Sequence, residues 1–184
     1  METMTTLDDL LDQFETDAAR FDEVVRAGGD WTAPSPCEGW TAADVVRHVM
    51  DTQRDFLARQ GRALDAPPQG AVAEAWAAHH GAMRAIVADR AFMAQEFDGV
   101  FGRVTVADTL ARFYGFDLLV HRWDLARAHG LEVAWTVDEL DRVERALDGF
   151  GEHLYDDGVC RAGVTAPADA PRHVRLLARM GRQG

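Results

Sequence analysis

At Thr6/Asp9, Thr41/Asp44, Thr105/Asp108 and Thr136/Glu139 a threonine stands three residues ahead of an acid. Each pair opens a run of apolar residues at helical spacing. A threonine hydroxyl there can accept from an orphaned N–H of the first helical turn, and the acid meets the positive end of the helix dipole. The glutamate pair is the standard capping box, whereas aspartate has a shorter arm for the return bond. Behind the caps, Leu7, Leu10, Leu11, Phe14, Ala18, Phe21 and Val25 predict a first helix closed before Gly28 and Gly29. Val45, Val49 and Phe56 predict a second ending near Gly61. A third, without a threonine, follows Pro67 and Pro68 and carries Val72, Trp76, Met83 and Val87. Leu110, Tyr114, Leu118 and Leu125 mark a fourth, stopped at His129 and Gly130, and a fifth runs from about Val137 to Leu154. The expected fold class is all-α.

The connections fit one domain over residues 1–158 with a C-terminal tail, 159–184, packed on it. Residues 29–40 hold two prolines and two tryptophans, so an ordered loop is expected there, because tryptophan seeks burial. Residues 97–104 suit a short strand or turn. The tail is broken by prolines and ends in a brief helical stretch, Arg175 to Met180. At 184 residues and 47% apolar, the chain can bury a sizeable core.

Net charge is −12, and the 19 basic residues are all arginines scattered along the sequence. Phosphate backbones would be repelled, so nucleic acid is not an expected partner. No apolar stretch approaches the roughly 18 residues of a membrane span. The acidic N-terminus is unlike a secretory signal, so a cytoplasmic protein without membrane contact is expected. The partners expected are a small-molecule substrate and, as an assembly, a second copy in a homodimer. Cys37 and Cys160 are far apart and in no CxxC pair, which argues against a disulfide framework and a four-cysteine zinc site.

The chemistry concentrates on two helices. His48 shares the apolar stripe of the second helix with Val45, Val49, Thr52 and Phe56. In the fourth, Asp117 and His121 lie four residues apart on the stripe of Leu110, Tyr114, Leu118 and Leu125. A lone inward histidine is usually a satisfied core residue. A buried aspartate, however, costs several kcal/mol unless it is paired or metal-bound. Helical spacing alone is equally compatible with a buried Asp–His ion pair and with a metal site on His48, Asp117 and His121.

The segment WTAPSPCEGWTAADVVRHV resembles the first metal motif of the DinB-like superfamily, and more closely its actinobacterial branch with mycothiol-dependent maleylpyruvate isomerase. DLLVHRWDLARAHG resembles that branch's second motif, and APADAPRHVRLLARMGR its uncharacterised metal-binding members. The resemblance implies a four-helix bundle, up-down-down-up, with an extra C-terminal helix and tail. It also implies zinc or another divalent metal (nickel, iron or manganese) on His48, Asp117 and His121, and a low-molecular-weight thiol such as mycothiol as cofactor. Asp117 stands where the isomerase pattern has glutamate, as E-x-x-x-H, which puts maleylpyruvate isomerase activity itself in question.

Around these ligands, Asp124 is a candidate to accept a hydrogen bond from His121, with a salt bridge to Arg127 or Arg47 as the alternative. His79 and His80 flank the third helix's stripe as candidates for acid, base or fourth ligand. With Asp124 they complete the candidate catalytic set. Trp40 and Trp123 are candidates to wall the cofactor cavity or to fill core. Cys37 is a reactive thiol or a packing residue, and the C-terminal arginines are solvated surface or greet an anion. Three functions follow: a metal-dependent thiol transferase or isomerase, a non-catalytic metal- or ligand-binding stress protein, and a metal-dependent hydrolase.

Overall fold

The structure, a computed structural model, describes residues 5–156 and 160–183. The expected boundary at 158/159 lies outside the described residues. Helix α1 spans Leu7–Ala27, α2 Ala42–Arg59 and α3 Val72–Val87. A single turn, α4 (Arg90–Met93), leads into an antiparallel hairpin of β1 (Glu96–Gly99) and β2 (Gly102–Thr105), with Glu96 opposite Thr105. Next, α5 (Val106–Thr109) runs through a π-helical turn at Leu110–Tyr114 into α6 (Gly115–Ala128). Helix α7 (Val137–Phe150) ends in a 3-10 turn, and α8 spans Arg172–Arg179. The chain is mostly helical, as the caps required.

All four threonine pairs form complete capping boxes, the aspartates included. Each aspartate reaches its threonine N–H at 2.9–3.1 Å, so the shorter arm suffices. Helix α3 has Ala71 at its N-cap and therefore no side-chain cap. Turn α4 is capped by Asp89 and is too short to leave a period in the sequence. Helix α8 begins three residues earlier than the apolar pattern indicates, because Pro171 sets its N-cap.

Helices α1 and α2 each pack against both α3 and α6, enclosing a core that includes Phe14, Phe21, Val49, Phe56, Trp76, Leu118 and Leu125. On the other side of α6, α7 and α8 close a second apolar cluster that includes Leu119, Trp123, Trp135, Val143, Leu147 and Leu177. Helix α6 is thus buried nearly all round, from Leu118 through Ala126. Inwardness there is not confined to one stripe. No helix among the described residues is long and apolar enough to cross a membrane.

The capping carboxylates make stability depend on pH. Burial works against the Glu139 charge, but hydrogen bonds from Arg122 and the Thr136 N–H outweigh it and hold the carboxyl below its usual 4.5. The Thr41 N–H does the same for Asp44. A carboxyl depressed on folding stabilises the fold above its unfolded value, and that contribution is lost as pH falls through the folded value. The contribution of these carboxylates to the urea midpoint is therefore expected to be complete at pH 7 and to fall away below about 4.5. A Glu139→Gln variant should show a shallower drop in the same titration.

Candidate metal centre

Residues 29–40 form an ordered loop that folds back on the start of α2, with Pro34 bridging to Thr41. The loop delivers Trp40 over the second turn of α2, where its ring lies 4.8 Å from that of His48 and 6.1 Å from that of His121. The two imidazoles meet edge to face at 4.9 Å. Between them lies Asp117, whose Oδ1 is 3.2 Å from His121 Nε2 and 3.6 Å from His48 Nε2. One donor atom from each of the three falls within 4.8 Å of the others. The group sits at the margin of the core, with His48 26%, Asp117 20% and His121 8% exposed at the side chain.

The electrostatics follow from this crowding. Burial penalises the His121 charge, yet the Asp117 carboxylate and hydrogen bonds to Asp117 and Asp124 raise it well above the usual histidine value. Burial likewise opposes the Asp117 charge, and the two imidazoles overcome it and hold the carboxyl far below the carboxylate range. The other Asp117 oxygen, Oδ2, is buried with no hydrogen-bond partner. A proton on His121 answers Oδ1 only. A cation shared with both imidazoles could engage Oδ2 as well, so the donor set fits a divalent metal.

The other nitrogen of His121, Nδ1, lies 2.9 Å from Asp124 Oδ2. Asp124 is fully buried and is held by Arg182, not by Arg47 or Arg127. Arg47 pairs with Asp44, and Arg127 lies 5.6 Å over the Trp123 ring. Burial opposes the Asp124 charge, but Arg182 and His121 bring the carboxyl down to about 2. Cys37 donates to the same carboxylate at 3.3 Å. Cys37, His121 and Asp124 could by distance alone hold a metal as well. The guanidinium already engages both Asp124 oxygens, however, so a second cation there would be repelled.

The remaining expected residues are placed elsewhere. His79 is buried against Gln53 at 2.8 Å, and burial lowers its pKa to about 4, so it is neutral near pH 7. His80 lies over Trp76 and 3.6 Å from Asp22 of α1. Neither joins the group around Asp117, because α3 turns these positions toward Gln53 and Asp22. Trp40 walls the site. Trp123, two positions on from His121, points to the α7 side, where it lines a cavity of about 540 Å³ with Trp135, Arg127 and His173. Cys37 and Cys160 are both free thiols. Sequence reasoning missed Arg182, which looks like any other arginine of the tail.

Fold and site together define the class: a mostly helical protein in which two packed helices gather two imidazoles and a carboxylate into a group that could hold a metal ion. More narrowly, the family model described as mycothiol maleylpyruvate isomerase N-terminal domain matches residues 11–126, more than half of the chain, and the chain belongs to that family. No curated protein and no solved structure matches it.

Proposed function

We propose that this protein holds one divalent cation, zinc by preference, on His48, Asp117 and His121. We further propose that it uses the cation to bind a small thiol of the mycothiol type for transfer onto, or isomerisation of, a small electrophile. The observation that carries the metal reading is the buried Asp117 Oδ2, which no protein donor reaches. Family membership supports the thiol. We read α1, α2, α3 and α6 as the superfamily's four-helix bundle, because each of the first two packs on both of the others.

Three protein donors is the number found at catalytic rather than structural zinc centres. A divalent cation there favours the ionised, nucleophilic form of a thiol that reaches it. The chain's own residues supply the setting. His121 and Asp117 come from one helix at i and i+4, so their spacing is fixed by the backbone. The Trp40 ring covers both imidazoles and shields one side from water. Hydrolysis has less support, since His79 and His80 are engaged elsewhere and Asp124 is tied to Arg182.

Calorimetry with mycothiol tests this reading. Zinc-loaded protein is expected to bind the thiol at least about tenfold more tightly than metal-stripped protein, a difference of about 1.4 kcal/mol. Equal binding by both forms would end the thiol reading, and failure to retain zinc at all would end the metal reading.

A further inference from the structure

Three remote parts of the chain converge on one buried carboxylate. Asp124 accepts from His121 Nδ1 at 2.9 Å, from Arg182 Nε and Nη2 at 2.7 Å each, and from Cys37 Sγ at 3.3 Å. Arg182 lies far beyond the matched segment 11–126. It is nevertheless only 9% exposed. Its position is imposed from below: Leu176, Leu177 and Met180 are seated in the second apolar cluster. The Arg182 N–H then bonds the Leu177 carbonyl at 3.0 Å, and Nη1 bonds the Met180 carbonyl at 3.1 Å. Nη2 also reaches Cys37 Sγ at 3.3 Å.

A histidine binds a metal through the nitrogen that carries no proton, and its second nitrogen decides which one that is. An ionised Asp124 only accepts, so its bond to Nδ1 requires the proton there and turns Nε2 toward Asp117 and His48. That selection needs the carboxylate to stay ionised in a fully buried place and to keep its orientation. A bidentate guanidinium does both, since it supplies the counter-charge and fixes the carboxylate plane. A single ammonium would supply only the charge.

We propose that Arg182 is a positioning residue of the metal centre: acting through Asp124, it fixes the orientation and tautomer of His121, so the C-terminal segment is part of the site. This rests on the metal reading above. Cys37, the third donor, draws the loop that carries Trp40 onto the same carboxylate.

The test is zinc affinity of the full chain, read by competition with a chromophoric chelator. Arg182→Gln is expected to keep one site and bind zinc about 10–100-fold more weakly, as removal of an outer partner of a ligand histidine does. Arg182→Lys, with the charge but no fork, should fall between that and the native protein. The visible spectrum of cobalt-substituted Arg182→Gln should shift, because the coordinating ring is no longer held in one orientation. If Arg182 were merely structural, the variant would melt earlier but bind zinc and show a cobalt spectrum like the native protein. That result, from either variant that folds, overturns the proposal alone. Native protein that takes up no zinc overturns the metal reading and this inference with it.

Discussion

Replacing His121 with alanine is expected to abolish stoichiometric metal binding, with affinity falling by more than the roughly 100-fold that loss of an outer partner causes. The imidazole has two roles at once. Its Nε2 faces Asp117 and the His48 ring, and its Nδ1 anchors on Asp124. Truncation removes a donor and leaves His48 and Asp117 as the whole set, in different helices and without the ring that spans them. Chelator competition reads the affinity, and a melting curve of metal-free protein reads any loss of fold. Losses should rank with His121→Ala above Arg182→Gln, because one deletes a ligand and the other loosens its support. A folded His121→Ala protein that binds one zinc ion as tightly as the native chain would remove His121 from the site.

The ranking depends on features of unequal visibility in the sequence. The helix starts were legible because a capping box is local: Thr41 and Asp44 contain the whole interaction. Asp117 and His121 were legible for the same reason, as an i, i+4 pair on one helix. The approach of His48 depends on how α2 packs against α6, which periodicity does not give, and the family likeness supplied that pairing. The Arg182–Asp124 contact was not legible at all. It joins residues 58 apart in sequence, and nothing distinguishes Arg182 from its solvated neighbours until α8 is seated. The stripe argument also overstated one point. Helix α6 is covered on both sides, so position on an inward stripe does not fix burial, and Asp117 ends one-fifth exposed. The π-helical turn at Leu110–Tyr114, one residue wider than an α-turn, interrupts the stripe ahead of Asp117 and leaves no mark in the spacing.

The same two-sided burial of α6 yields the second large effect, on stability. One position after His121, about 100° further round the helix, Arg122 turns toward α7 and is 4% exposed. Glu139, wholly buried, holds it with two bonds at 2.9 and 3.1 Å, pairs also with Arg20, and accepts the Thr136 N–H at 2.8 Å in the capping box. Replacing Glu139 with alanine leaves the Arg122 guanidinium buried with one bond, to the Ala134 carbonyl at 3.3 Å. Breaking a buried pair from one side costs about 3–5 kcal/mol. For a chain of this size that lowers the melting temperature by roughly 6–20 °C. Exchanging both partners for apolar residues, Arg122→Met with Glu139→Leu, should recover part of the loss, since no buried charge then lacks a partner, although the half-exposed Arg20 and the Thr136 N–H still lose theirs. The defect lies on the α7 side of α6, away from Asp117, so the folded fraction of Glu139→Ala should still bind one zinc ion. Denaturant unfolding checks the first claim and chelator competition the second. A loss below about 1 kcal/mol would mean that Arg122 reaches water when its partner is removed, and that α7 does not seal the back of the helix carrying the candidate ligands.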